Sequence, residues 1–97
     1  MSPRISPFEF DDNPVPSGQS LQVTCFASEG DLPIYISWTL NGKPIGEYPE
    51  ISTGIVGKRG SFLTIDSVSY LNAGNYTCRA ENAAGFDVHV AQLLVNG

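Results

Sequence analysis

The strongest constraint on the fold of this 97-residue chain lies in residues 69–78. A turn that contains Gly74 leads into a run in which apolar and polar residues alternate. Tyr76, Cys78 and Ala80 share one face of this run. The other face carries the polar residues Asn75, Thr77, Arg79 and Glu81. This alternation predicts a β-strand with one buried face, on which Tyr76 precedes Cys78 by two residues.

The cysteines allow one disulfide bond. Cys25 is the only other cysteine, and it also lies on the apolar face of an alternating run. A Cys25–Cys78 bond would close a loop of more than fifty residues and stabilise the fold by roughly 4 kcal/mol. The alternative is a pair of reduced, buried thiols, as in intracellular domains. We expect the disulfide, and with it an oxidising compartment.

The order of cysteine, tryptophan and cysteine, with a tyrosine two residues before the second cysteine, resembles the immunoglobulin sandwich. Trp38 is the only tryptophan and lies between the two cysteines. Trp38, Leu63, Ile65 and Tyr76 are therefore predicted core residues. The Tyr76 hydroxyl is expected to bond to the backbone near residues 68–71.

Short alternating runs separated by turns predict an antiparallel all-β sandwich formed by one domain, residues 1–97. The predicted strands are residues 3–12, 19–27, 34–40, a short piece near 44–45, 53–57, the run after 60–61, the run ending near 81, and 86–95. Residues 13–18 are predicted to form a turn. Pro7 lacks an N–H, so we expect the first strand to break there and its two parts to join different sheets.

The resemblance implies the I-set arrangement, with strands lettered A to G in chain order. One sheet is A-B-E-D, and the other is (A′-)G-F-C(-C′). Residues 46–52 are too few for the two extra strands of a variable-type domain.

The sequence lacks the residue patterns that several classes of function require. The formal charge of −5 argues against binding to nucleic acid or an anionic membrane surface, although it also simply favours solubility. The single histidine, His89, has no catalytic partner at a recognisable spacing. Asp11-Asp12 lacks the spacing of a calcium loop, and Gly57-Lys58-Arg59-Gly60 lacks the flanks of a phosphate loop. We therefore expect no enzyme activity, metal, cofactor or small-molecule substrate.

An exposed apolar cluster is the candidate binding feature. Phe26 on strand B and Phe62 on strand E fall at outward positions, and Ile55 on strand D joins them if Val56 is the inward residue. The polar positions around them are Gln22, Thr24, Thr53, Thr64 and Asp66. Clustered exposed apolar residues mark partner sites. The alternative is that Phe26 or Phe62 tucks beneath the first strand or a loop.

The chain also resembles, over its whole length, the variable immunoglobulin domain of the arthropod Down syndrome cell adhesion molecule family. That domain is the seventh of the long form, or the first of the chelicerate short form. The resemblance rests on the following motifs: Pro3-Arg4-Ile5-Ser6-Pro7-Phe8, Gly30-Asp31-Leu32-Pro33-Ile34, Ser37-Trp38-Thr39-Leu40-Asn41-Gly42, Gly57-Lys58-Arg59-Gly60-Ser61 and Ala73-Gly74-Asn75-Tyr76-Thr77-Cys78. The chain departs from the immunoglobulin pattern at Asn72, where an acidic residue is usual. Arg59 or Lys58 could meet only a neutral amide there.

The resemblance implies isoform-specific homophilic binding. The partner would be a second copy, paired as a symmetric antiparallel homodimer through the A-B-E-D face on the extracellular side of a cell-surface receptor. Membrane contact would come only through the transmembrane segment of that receptor. The alternatives are a structural spacer, or a heterophilic or immune-type receptor that uses the loops around Asp31 and Ala84. Asn75-Tyr76-Thr77 is in addition an acceptor triplet for N-glycosylation.

Overall fold

A computed structural model describes residues 1–10 and 13–96, so Asp11 and Asp12 of the predicted first strand lie outside the described residues. The strands are β1 (Arg4–Ser6), β2 (Val15–Pro16), β3 (Leu21–Glu29), β4 (Tyr35–Leu40), β5 (Lys43–Pro44), β6 (Ile51–Val56), β7 (Gly60–Ile65), β8 (Gly74–Asn82), β9 (Gly85–Leu93) and β10 (Val95–Asn96). Short 3₁₀ turns occupy Ile45–Glu47 and Tyr70–Asn72.

Two four-stranded antiparallel sheets form the predicted sandwich. The front sheet has the order β1-β3-β7-β6, which corresponds to A-B-E-D. The back sheet has the order β5-β4-β8-β9, which corresponds to C′-C-F-G. A parallel pair of β2 and β10 adds the A′ strand beside the end of G. The I-set sandwich is therefore confirmed.

A ring of four residues joins the two sheets through the core. Cys25 and Cys78 form the predicted disulfide. Cys25 lies opposite Ser61 in the front sheet, and Cys78 lies opposite Trp38 in the back sheet. Trp38 Nε1 donates to Ser61 Oγ at 2.9 Å and closes the ring. Every buried polar group in it is thus bonded, and Leu63, Ile65 and Tyr76 are buried beside it.

The turn between β7 and β8 contains the tyrosine corner. The Tyr76 hydroxyl donates to the Asn72 carbonyl at 2.6 Å, one residue beyond the segment expected from the sequence. Burial, with smaller contributions from Glu50 and Tyr48, raises the Tyr76 pKa, so the hydroxyl keeps the proton that it donates. Asn72 is itself buried, and its Oδ1 accepts from the Ser69 backbone N–H at 2.9 Å.

Asn72 does not meet a basic side chain of the β6–β7 turn. Arg59 lies in that turn, where its guanidinium Nη1 is 3.4 Å from the Ala27 carbonyl. Asn72 lies beyond the other end of β7, so its amide meets neither Arg59 nor Lys58. The distance is set by the strand, since six extended residues span roughly 20 Å.

The first strand breaks at Pro7, as predicted. β1 ends at Ser6 and pairs with β3 of the front sheet. After Pro7 the chain crosses to the back sheet, where His89 Nε2 on β9 lies 2.8 Å from the Phe8 carbonyl oxygen. The missing N–H of Pro7 therefore marks the point where the chain changes sheets.

The prediction of a turn at residues 13–18 was wrong, because this segment contains β2. A parallel ladder uses the N–H groups of alternate residues, and here the donors are Val15 to the Leu94 carbonyl and Ser17 to the Asn96 carbonyl, both at 2.8 Å. Pro14 and Pro16 occupy the alternate positions, where no backbone N–H is needed for the ladder. A proline-rich segment can therefore pair with β10 without losing a hydrogen bond.

Replacing Tyr76 by Phe should lower the free energy of unfolding by about 1–3 kcal/mol, because the buried Asn72 carbonyl loses its partner. Chemical denaturation of both proteins measures this difference. Tyr70→Phe is the matched control, since Tyr70 is exposed. Equal midpoints for Tyr76→Phe and the parent would contradict the corner.

Candidate recognition surface

The outward side of the front sheet brings Phe26 and Phe62 together. Residues opposite each other in a sheet point to the same side. Phe26 lies opposite Gly60, and Phe62 lies opposite Thr24. The two phenylalanines are diagonal neighbours on adjacent strands, and Phe26 is 43% exposed. Neither is covered by the first strand, which passes Phe26 at Ser6.

Gly54 shapes the surface around Phe62. It lies opposite Phe62 on β6, and a Cβ atom at Gly54 would come within 2.3 Å of ring atom Cε2. The Phe62 ring therefore lies across the backbone of β6, in the space that glycine leaves open. An aromatic ring over a cross-strand glycine stabilises a position that glycine alone would weaken.

The predicted orientation of strand D was wrong. Ile55 and Thr53 lie opposite Ser61 and Leu63, both of which face the core. Ile55 and Thr53 therefore point to the inner side of the sheet, and both stay exposed because β6 is the edge strand; Ile55 is 85% exposed. The buried residue Ile51 sets the alternation of β6, so Val56 points outward and not inward as predicted.

Val56 occupies the outward position that was predicted for Ile55. It points outward opposite Gly60 and is 45% exposed. Its apolar side chain and those of Phe26 and Phe62 surround the two glycines of this face. We call the outward side of the paired parts of β3, β7 and β6 the front face. Its residues are Gln22, Thr24, Phe26, Ser52, Gly54, Val56, Gly60, Phe62 and Thr64.

Charge is confined to the two ends of the front face. None of its residues is charged. Lys58 and Arg59 lie in the turn at one end, between β6 and β7. Asp66 follows β7 at the other end, beside Glu50, which precedes β6. The face thus has a neutral centre, a basic end and an acidic end.

A second apolar surface lies on the outer side of the back sheet. Phe86, Val88 and Val90 alternate along β9, and all three are exposed; we call them the β9 stripe. The Arg79 guanidinium lies 4.1 Å from the centre of the Phe86 ring, in cation–π contact. The stripe was not predicted from the sequence, although the alternation of these residues with Asp87 and His89 could have indicated it.

Asn75 lies on the same outer side, next to one end of the stripe. It is exposed and opposite Gln92 on β9. Its backbone is held in place by Asn41, whose Oδ1 accepts from Asn75 N and whose own N–H donates to the Asn75 carbonyl, both at 2.9 Å. Its side chain is thus presented to solvent from a fixed position.

A groove with a volume of about 640 Å³ lies elsewhere, at the β6 edge of the sandwich. Ile34, Ile36 and Ile55 are among the residues that line it. No group of three or more histidine, cysteine, aspartate or glutamate residues in the described part of the chain could hold a metal ion. The described residues also contain no helix long and apolar enough to cross a membrane.

Comparison with known proteins agrees with this geometry. A family model described as "Immunoglobulin domain" matches residues 2–82. The cell adhesion molecule Dscam1 of Drosophila melanogaster is 38% identical over 95 residues, which are 97% of this chain and 5% of that protein. The cell adhesion molecule DSCAML1 of Gallus gallus is 40% identical over 96 residues, which are 96% of this chain and 4% of that protein.

Solved structures show the same relationship. The Dscam1 Ig7 domain, isoform 5, superposes with a TM-score of 0.92 at 38% identity, covering 98% of this chain and 97% of that one. Isoform 9 gives a TM-score of 0.92 at 35% identity, covering 98% and 100%. The titin M3 domain, at 24% identity and a TM-score of 0.84 over 100% and 99%, shares the fold.

The chain spans about a twentieth of the length of the curated relatives it matches, which are cell adhesion molecules rather than enzymes. It is an immunoglobulin-type sandwich with one disulfide between the two sheets. The chain belongs to the immunoglobulin domain family, within the group formed by the Dscam cell adhesion molecules.

Proposed function

We propose that this domain recognises a second copy of itself through the front face. The observation that carries the proposal is the composition of that face. Phe62 lies in its middle row, Phe26 and Val56 lie in the row next to the basic turn, and the remaining side chains are uncharged and polar. Burying uncharged surface avoids the desolvation cost of ionised groups. Large residues at the centre of an interface, ringed by weaker polar contacts, are the usual pattern of binding hot spots.

Two-fold symmetry fits this surface. In a symmetric dimer a residue near the axis meets its own copy, so a charge there would face a like charge. The front face places neutral residues at its centre and keeps its charges at the ends. An antiparallel pairing would bring the basic end, with Lys58, against the acidic end of the partner copy, with Asp66. This charge distribution favours the antiparallel dimer over the parallel one.

Isoform specificity would come from the polar residues of the face. Gln22, Thr24 and Thr64 lie beside Phe62, where each must find a hydrogen-bond partner in the second copy. A variant with a different side chain at one of these positions would leave a group unpaired at a cost of about 1–3 kcal/mol. Each variant would therefore prefer its own copy.

The alternative functions have weaker support. A structural spacer has no need for an exposed Phe26 and a partly exposed Phe62 on a sheet face. A heterophilic or immune-type receptor that used the loops around Asp31 and Ala84 would leave the front face without a partner. The disulfide supports an oxidising, extracellular location, with membrane attachment supplied by a longer receptor. One sheet face offers at most a standard-size interface, so the isolated domain should bind itself weakly and gain avidity from neighbouring domains.

Replacing Phe62 by Glu should weaken self-association at least about 30-fold, which corresponds to the 2 kcal/mol threshold of a hot spot. Two carboxylates would lie near the two-fold axis and lose their water. Sedimentation at several concentrations measures the effect, and the fold should survive because Phe62 is partly exposed. Ser37→Glu on the outer side of the back sheet is the matched control and should leave the dimer intact. A wild-type domain that stays monomeric at high concentration would refute the proposal.

Reversing the charges at the ends tests the antiparallel geometry. Lys58→Glu and Asp66→Lys should each weaken the dimer several-fold, since each creates two like-charge contacts of roughly 0.2–1 kcal/mol. The double variant should recover most of the loss at low salt. In a parallel dimer Lys58 would face Lys58 and Asp66 would face Asp66. Each single variant would then exchange one like-charge pair for another and leave the affinity unchanged. Sedimentation of all four proteins in one buffer separates the two outcomes.

Gly54→Ala tests whether the position of the Phe62 ring over β6 matters for self-association. The new Cβ would force the ring away from β6, and an off-rotamer side chain costs roughly 0.5–1.5 kcal/mol. We expect weaker self-association with an unchanged circular dichroism spectrum. Gly46→Ala is the control, because no heavy atom lies within 4 Å of a Cβ there. If the Gly54→Ala variant associates as strongly as the wild type, the position of the ring does not matter.

A further inference from the structure

We infer that Asn75 carries an N-linked glycan and that this glycan covers the β9 stripe. The acceptor triplet Asn75-Tyr76-Thr77 is the only Asn-Xaa-Ser/Thr sequence in the chain. In the reaction, the Asn75 amide nitrogen forms a bond to the anomeric carbon of an oligosaccharide on a lipid pyrophosphate donor. The amide loses one proton and the lipid pyrophosphate leaves.

The fold presents Asn75 well for this modification. The side chain is exposed, and it points outward because Tyr76, the next residue, is buried in the core. The two hydrogen bonds with Asn41 involve the backbone of Asn75, so they hold the residue in place without using its side-chain amide. The Cys25–Cys78 disulfide indicates that the domain folds in an oxidising compartment. N-linked glycans are attached in such a compartment.

The register places the β9 stripe directly beside the glycan. Asn75 lies opposite Gln92, and the next outward pair along the sheet is Thr77 with Val90, followed by Arg79 with Val88. Strands lie about 5 Å apart and same-side residues about 7 Å apart along a strand, so Val90 is about 9 Å from Asn75 and Val88 about 15 Å. The first sugars of a glycan that lies along β9 would therefore contact both valines.

A covered stripe explains how two apolar surfaces coexist on one small domain. Large exposed apolar patches mark either binding sites or aggregation hazards. With the β9 stripe under carbohydrate, the front face is the sheet face that keeps its apolar side chains accessible for pairing. This consequence rests on the proposed function, whereas the glycan and its position do not.

Secretion of the domain from insect cells tests occupancy. The intact mass should exceed that of the polypeptide, and digestion with a peptide-N-glycosidase should remove the excess and leave Asp at position 75. Thr77→Val should lack the excess, and Thr77→Ser should keep it. An intact mass equal to that of the polypeptide would overturn the inference.

Coverage is measured in the Phe62→Glu variant, so that pairing through the front face plays no part. A soluble paramagnetic agent broadens the NMR signals of exposed methyl groups. Glycosylation should reduce this broadening at Val88 and Val90 at least twofold relative to the digested protein. Val56 is an internal control on the front face, since it and Val88 are both 45% exposed, and its broadening should not change. Equal broadening of Val88 and Val90 in the two forms would show that the glycan points away from β9. Sedimentation of the unglycosylated wild type decides the proposed function separately.

Discussion

The four-residue ring of Cys25, Ser61, Trp38 and Cys78 determines which side chains of the sandwich face water. It links the central strands β3, β7, β4 and β8 by one covalent bond, one hydrogen bond and two cross-strand neighbours. A slip of one residue in any of these strands would turn its whole buried side outward, and the ring would be broken. The outward positions of Phe26 and Phe62 follow from this constraint, because each lies one residue away from Cys25 or Ser61.

The same constraint explains how far the sequence could predict the recognition surface. Buried and exposed residues alternate clearly along β3 and β7. Because Cys25 points inward, the outward positions of Gln22, Thr24 and Phe26 could be predicted. Strand β6 lies at the edge of the sheet, where Ile55 and Val56 are both exposed, and its two sides look alike in sequence. Only Ile51, at the start of the strand, reveals its phase. The short strand β2 was not predicted, because prolines usually exclude a strand. Here they fall at positions whose backbone N–H would not take part in the ladder.

The two outer surfaces of the sandwich differ in how they meet solvent. The front face has a neutral centre and charged ends, which suits pairing with an identical surface turned by a two-fold axis. The back sheet carries the β9 stripe next to an exposed asparagine in an acceptor triplet. A domain with net charge −5 and two exposed apolar surfaces must leave one open and protect the other if it is to pair in a single orientation.

Chemical-shift mapping as a function of protein concentration tests the central claim most directly. If the front face mediates self-recognition, the backbone amide signals of Thr24, Phe26, Phe62 and Thr64 will shift with a common dissociation constant as the domain is concentrated. The signals of Ser37 and Val88 on the back sheet will stay fixed. Shifts confined to the β9 stripe, or to the loops around Asp31 and Ala84, would contradict the account.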